Sequence, residues 1–402
     1  MTDHDPSQTD TDATPVPRRV FLTDVLICSL GAYGGPETHM GVFLDQMVAK
    51  RHYLSEAELV ELMALCSILP GPTSSQTIVS IGYRKGGISL ALLTMVVWAL
   101  PALIGMTLLS FLYALLATHG ISTGFLKYIG PMAVGFILLA AWRIGRKVAT
   151  DIPTAVLMLA GAVVTYLVRA PWIFPLALLA GGAASIAWYR EPGMWNRVRI
   201  RPPWHYLALF AIFALGSLAL AVLTGNQIVQ LFECFYRYGY LVFGGGQVIV
   251  PVMHHELVNL RGAMTDAEFL TGYGLVQGMP GPMFSFAAYA GGMAARGGSW
   301  LHQLAGAAAG GIGIFLPGLF LIFFVYPIWE DLKRIRAIRI SLRGINAVAG
   351  GLIAVAAVIL MQACGFQAGG LLVTVLTVVT LRFTPLPAPL LVAATLLAGI
   401  LL

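Results

Sequence analysis

A chain of 402 residues in which 58% are hydrophobic and only 10% charged departs from a soluble domain, where about 25% carry charge. Its consecutive apolar stretches match the roughly 20 residues that cross about 30 Å of hydrocarbon, which excludes one large soluble helical protein. The formal charge of +6 marks no nucleic-acid partner, because Lys and Arg cluster between the apolar segments, as orientation in a lipid bilayer requires.

Residues 1–17 are rich in Asp, Thr, Ser and Pro, can bury almost no apolar surface and are expected to be disordered. A cleavable signal peptide is not expected, since Arg18 and Arg19 lead straight into the first membrane segment. Apolar stretches between Gly, Pro and charge clusters predict spans near 20–35, 56–84, 86–117, 124–147, 152–169 and 171–189. A second series follows near 204–224, 226–245, 266–296, 300–327, 343–362, 366–382 and 385–402. Cys28, Cys66, Cys234 and Cys364 each stand alone inside an apolar stretch, so they read as small buried side chains, and neither metal nor cofactor is expected.

Two landmarks recur 210 residues apart: Tyr33-Gly34-Gly35-Pro36 against Phe243-Gly244-Gly245-Gly246, and Leu69-Pro70-Gly71-Pro72 against Met279-Pro280-Gly281-Pro282. The same offset pairs Arg51 with Arg261, Glu58 with Glu268 and Ser75 with Ser285, while Pro101 recurs as Pro317 after a short insertion. The chain thus divides into the tail 1–17, a first transporter repeat 18–190, a linker and connecting helix 191–225, and a second repeat 226–402.

Charge sets how the repeats face each other. Arg143, Arg146 and Lys147 follow the fourth span of the first half, whereas Lys333, Arg334, Arg336, Arg339 and Arg343 precede the fourth span of the second. Cytoplasmic loops accumulate Lys and Arg, so matching helices cross in opposite directions. The expected fold is an all-α polytopic membrane protein of two inverted-topology repeats, about six spans each, with one connecting span and a discontinuous helix in each repeat. With the N-terminus cytoplasmic, the basic clusters fall inside, and Arg169 and Arg296 are the exceptions. A discontinuous helix that crosses is predicted over 56–84, because a re-entrant hairpin there would turn the clusters of one half to the wrong side.

Each Pro-Gly-Pro removes two backbone donors and stops the helix, and broken helices in matching positions of two repeats point to a binding site. After Pro70-Gly71-Pro72 the restarted helix opens with Thr73, Ser74, Ser75 and Gln76, which offer side-chain donors beside free N–H groups at the positive end of a helix dipole. That chemistry suits an anion. Pro280-Gly281-Pro282 is followed by Met283, Phe284 and Ser285, a less polar wall or gate. Gly34-Gly35 and Gly244-Gly245 permit close backbone approach, either to a substrate or simply between packed helices. Glu37 and His39 are candidates for proton relay, Glu233 and Arg237 lie one helical turn apart as an ion pair with Arg237 a candidate substrate contact, and Arg84 and Arg296 close the broken helices. His254-His255-Glu256 is the one cluster of metal-ligand types, but adjacent residues project apart on a helix, which argues against a membrane metalloenzyme.

These residues resemble the chromate ion transporter family, whose long members carry two fused halves. The likeness covers Gly34-Gly35-Pro36 with His39, then Leu69 to Pro72 with Gln76, and Gly82-Tyr83-Arg84. In the second half it covers Phe243 to Gly246, Val248 to Pro251, Glu256, Gln277 and Met279 through Ala288. The resemblance implies a bacterial inner-membrane exporter of chromate driven by protons, with Gln277 at the substrate and Glu256 in coupling or gating. Ile27 stands where family first halves often carry a basic residue, Thr73 where many carry Asn, and Ser67 where many carry Gln. A lost cation and altered donors retune selectivity, so sulfate or a related dianion stays open as the cargo. A passive anion channel and assembly as a homodimer stay open as well.

Overall fold

The computed structural model describes residues 16–168, 172–191, 193–195, 200–242 and 246–401. Residues 1–15 of the expected disordered tail, Arg169, Gly244 and Gly245 lie outside the described residues. The first half contains α1 Arg18–Gly31, α2 Pro36–Phe43 running on as a π-helical turn Leu44–Lys50, α3 Glu56–Ile68, α4 Thr73–Thr118, α5 Ile129–Val148, α6 Ile152–Val168 and α7 Ile173–Trp188. Then come α8 Trp204–Thr224, α9 Gln227–Leu241, α10 Val250–His254 with a π-helical turn His255–Leu260, α11 Asp266–Val276, α12 Phe286–Ala294 and α13 Trp300–Val325. The short α14 Trp329–Leu332 leads to α15 Arg336–Cys364, α16 Ala368–Phe383 and α17 Ala388–Leu401.

Among the described residues five helical stretches, Thr73–Leu116, Gly124–Val148, Trp204–Thr224, Trp300–Leu332 and Arg336–Cys364, are long and apolar enough to cross a bilayer, as in a multi-pass membrane protein. On α8 the side chains of Ile212, Leu215, Val222 and Leu223 stay exposed, a surface that only lipid or another apolar partner can cover.

Before each long crossing the chain makes two hairpins. α1 has 14 residues and rises about 21 Å, too short for the hydrocarbon layer. It turns at Gly34 and Gly35, and α2 runs back beside it: the buried Asp24 on α1 accepts bonds from Gln46 at 2.8 Å, Arg51 at 2.9 Å and Tyr53 at 2.6 Å. α3, opened by a Ser55–Glu58 capping box, then runs in to the first Pro-Gly-Pro, and the first arm of α4 returns. The sequence predicts a discontinuous crossing over 56–84, and that is corrected here. Arg84 pairs with Glu58 at 2.5 Å, whereas one continuous helix would hold residues 26 apart at about 39 Å. A second reversal at Gly86 and Gly87, whose backbone is non-helical, sets the second arm of α4 against the first, with Trp98 bonded to Ser75 at 3.0 Å.

The second half repeats these reversals. Arg237 on α9 bonds Glu256 on the returning π-helical turn at 2.9 Å, so α1 and α9, which fall in the predicted spans 20–35 and 226–245, are both hairpin arms. A Thr265–Glu268 capping box opens α11, and Arg296 beyond α12 comes back to Glu268 at 2.5 Å. This ion pair supplies the partner for Arg296 that loop charge did not.

The hairpin tips meet in the middle of the molecule. The Gly71 amide donates to the Val242 carbonyl at 2.9 Å, and the Gly281 amide, 210 residues on, donates to the Ala32 carbonyl at 2.8 Å. Both glycines have positive φ, 127° and 110°, a conformation that side-chain-bearing residues rarely adopt. A Cβ on Gly71 would come within 2.7 Å of Gln76 Nε2, and one on Gly281 within 3.0 Å of Ala102.

The later helices are exchanged between halves. α15 packs on α6, α7 and α5, while α5 packs on α16. Small residues permit this: Gly161 and Gly181 lie against Val348 on α15, and Gly135 on α5 lies against Thr377 on α16. Thr374 adds a bond to the Pro131 carbonyl at 2.8 Å.

Candidate functional site

Proline at both sides of Gly71 denies α3 and the first arm of α4 a continuous hydrogen-bond ladder, so the chain crosses the core as open backbone. Gln76 straps that break: its Nε2 donates to the Pro70 carbonyl at 2.9 Å and to the Gly318 carbonyl at 3.2 Å. Ser74 is bonded to His39 Nδ1 at 2.9 Å, and Ser75 accepts from the Trp98 indole at 3.0 Å. Ser74, Ser75, Gln76 and His39 are all buried. The four donors expected as one anion cradle therefore separate, with Thr73 facing a cavity and the other three bonded within the protein.

That cavity measures about 870 Å³. Its inner end reaches the hairpin tips at Gly34, Thr73, Gln247 and Gln277. Its wall follows α5 from Phe136 to Lys147 and includes Arg143 and Lys147, with Asn346 of α15 and Thr384 beyond α16 opposite. Among the described residues that line it, Arg143 and Lys147 are the charged ones. Arg143 is held in place by a bond to the Leu381 carbonyl at 3.1 Å.

Several predicted site residues lie elsewhere. Arg237 does not line the cavity; it is bonded to Glu233 at 2.8 Å and to Glu256 at 2.9 Å. Glu256 also accepts from Arg261 at 2.9 Å and Cys234 at 3.3 Å, so it closes a hairpin base. Arg84 belongs to the equivalent base pairing of the second hairpin. Pro70, Gly71, Pro72, Pro280, Gly281 and Pro282 form the crossing backbone. Ser285 is buried with its hydroxyl unpartnered among the described residues. The Glu37 side chain, Gly244 and Gly245 lie outside the described residues.

Sequence reasoning missed the cavity's cations as site residues, because Arg143 and Lys147 already had an explanation in membrane orientation. Their i, i+4 spacing on α5 is the signal that marks one shared face. It also missed Asp24, whose role depends on Gln46, Arg51 and Tyr53 folding back to it.

The chromate transporter family model matches residues 20–186 and again 229–400. The chain is 28% identical to a chromate transport protein of Pseudomonas aeruginosa over 88% of this chain and 83% of that one. It is 25% identical to a probable chromate transport protein of Synechococcus elongatus over 92% and 93%, and 24% identical to a chromate transport protein of Cupriavidus metallidurans over 95% and 92%. These relatives are named as transport proteins, not enzymes. No solved structure matches. A duplicated match over most of the chain, together with the apolar helices and paired breaks, identifies it: the chain belongs to the chromate transporter family.

Proposed function

We propose that this protein is a secondary active transporter that exports an inorganic oxyanion, chromate foremost, across a bacterial inner membrane in exchange for protons. The observation that carries this reading is the cavity of about 870 Å³ that runs from Arg143 and Lys147 to Thr73, directly after the first Pro-Gly-Pro, and to Gln277, three residues before the second. Thr73, Gln247 and Gln277 supply polar groups at its inner end, beside the backbone at Gly34 and the opening N–H groups of the first arm of α4.

Residues 18–190 and 226–402 act as two repeats of opposite orientation, joined through 191–225, a division supported by the family match to each half. Two hairpins per repeat leave the crossing parity unchanged, so Arg18, Arg84, the Arg143 group, Arg190 and the Lys333 group share one side, cytoplasmic by the positive-inside rule. The N-terminus is then cytoplasmic and the cavity opens inward. His39 is the coupling residue: it is bonded to Ser74, the neighbour of Thr73, so a proton gained there alters the hydrogen bonding next to the anion.

Uptake into vesicles reconstituted with the purified chain tests this, with chromate against sulfate and with or without a proton gradient. Chromate flux accelerated by the gradient, and uncoupled from it in His39→Gln, is expected. Flux set by voltage alone would replace the transporter with a channel, and preference for sulfate would replace the cargo. Movement of neither anion under any gradient would sink the reading.

A further inference from the structure

The two repeats meet α5 and α15 differently. In the second repeat, α11 packs on α5: a Cβ on Gly130 would come within 3.4 Å of Leu270, and one on Gly274 within 2.5 Å of Ile129. The helical turn Gly246–Ile249 and α10 pack on α15. The counterparts of these elements, 210 residues earlier, face the cavity instead. Val60 and Ala64 of α3 stand for Leu270 and Gly274, Thr38 and Met40 of α2 stand for Val248 and Val250, and all four line the cavity. Val60 is 51% exposed, whereas Leu270 is 2% exposed.

The helices that receive these contacts are themselves counterparts. At the spacing that separates Pro101 from Pro317, Ile129, Ala133, Gly135 and Ile137 of α5 recur as Ile345, Ala349, Gly351 and Ile353 of α15. At the same spacing Gly130, which Leu270 covers, recurs as Asn346, and Asn346 lines the cavity together with Val60 and Ala64. One matched pair of faces is thus in contact, and the other borders open space.

We infer that the protein has a second state in which α3 closes onto α15, with Val60 over Asn346 and Ala64 beside Ile345, while α11 parts from α5. Leu270 over Gly130 and Gly274 beside Ile129 are the template for that contact. Repeats of related sequence can exchange packings at small cost, because packed interfaces switch between discrete arrangements rather than deforming continuously. Closure of α3 shuts the present cavity. Parting of α11 from α5 uncovers Gln277, at the end of α11, from the opposite face of the protein. Asn346 and Ala64 replace two glycines, so the α3 contact is held further apart and is the weaker of the two, which leaves this side open at rest. The inference rests on the reading of the chain as a transporter of two repeats.

The test uses the full chain with Cys364→Ser, since the other three native cysteines are buried. Val60→Cys with Asn346→Cys is oxidised in phosphatidylcholine vesicles before chromate is added. A disulfide requires Cα atoms within about 7 Å, so its formation reports the closed contact. The crosslink is expected to form, and the crosslinked chain to move chromate at least tenfold more slowly than Asn346→Cys treated identically. Val60→Trp is the second probe: its side chain has room beside the open cavity but wedges the closed contact, so the maximal rate should fall at least tenfold while labelled sulfate binding in nanodiscs stays within twofold. Val96→Trp, at a 54% exposed position on α4, should leave both unchanged. A transporting chain in which the pair never crosslinks, a crosslinked chain that transports at the control rate, or a Val60→Trp chain that matches Val96→Trp would overturn the closure. A wild-type chain that moves no oxyanion while the pair still crosslinks would keep the second state and remove the transport reading.

Discussion

At the first break, the side chains after Pro72 are polar and engaged: Ser74 with His39, Ser75 with the Trp98 indole, Gln76 with two carbonyls. At the second, Phe284 lies near Phe315 with ring centres 6.4 Å apart, Phe286 meets Phe269 edge-on at 5.1 Å, and the Ser285 hydroxyl has no partner among the described residues. Ile249 stands 210 residues after His39, and Ile314 follows Trp98 at the spacing that separates Pro101 from Pro317. The backbone is shared down to reciprocal hydrogen bonds at Gly71 and Gly281, yet the chemistry it carries is not. Duplication preserved a way of folding and left each copy free to become a polar shelf or an apolar plug.

The hairpin bases differ in the same manner. In the first repeat the carboxylate is Asp24 on α1, opposite Gln46; in the second it is Glu256 on the returning arm, opposite Cys234, with Arg51 and Arg261 in matching places. The largest expected effect tests that difference. Glu256→Gln leaves Arg237 and Arg261 largely buried without their shared carboxylate and should cost about 3–5 kcal/mol in detergent unfolding. Asp24→Asn should cost less, about 1–3 kcal/mol, since the Arg51 side chain is 43% exposed and can turn to water. Equal losses would contradict the distinction.

The shared backbone predicts the next effect. Gly71→Ala and Gly281→Ala should each destabilise by about 3 kcal/mol, from a positive-φ conformation and a crowded Cβ together. A tolerated alanine at either position would show that the tips are not held as described. Side-chain chemistry should then separate the copies: Ser75→Ala strands the buried Trp98 indole N–H and costs about 1–3 kcal/mol, whereas Ser285→Ala removes an unpartnered hydroxyl and should be neutral or stabilising by up to about 1 kcal/mol. Thermal midpoints of the two variants measured side by side decide it.

The smallest effect lies at the exchange of helices. Asp151, before α6, is held down to a pKa of about 2, first by its hydrogen bond from Thr154, then by that from Tyr189, with Arg343 of α15 adding its charge. Gln367, which precedes α16, makes no side-chain cap. A depressed carboxylate pKa contributes stability above the unfolded value of about 4, lost as pH falls through the folded value. Asp151→Asn should therefore lower the melting temperature by the same amount from pH 8 to pH 5, with the gap to wild type closing only toward pH 2. A gap that closes between pH 8 and pH 5 would rule this out.

Much of this protein could be read from its residues. Composition determined the solvent, because only lipid tolerates so many long apolar stretches. The offset of 210 residues revealed the duplication, and Pro-Gly-Pro located the breaks, because proline acts on its own backbone whatever surrounds it. The path of the chain between those points was not legible. Two crossings and two hairpins each return the chain to the side from which it started, so the loop charges are the same for both and cannot choose between them. Arg84 reaching Glu58, and Arg237 reaching Glu256, made that choice through contacts across 26 and 19 residues. Likewise, Thr73, Ser74, Ser75 and Gln76 are consecutive donors in sequence, but successive helical residues point about 100° apart, so a single face of the helix can open to the cavity. Only tertiary structure decided that this face is Thr73, and that Arg143 and Lys147, placed on α5 by the sequence as orienting charges, share the cavity with it.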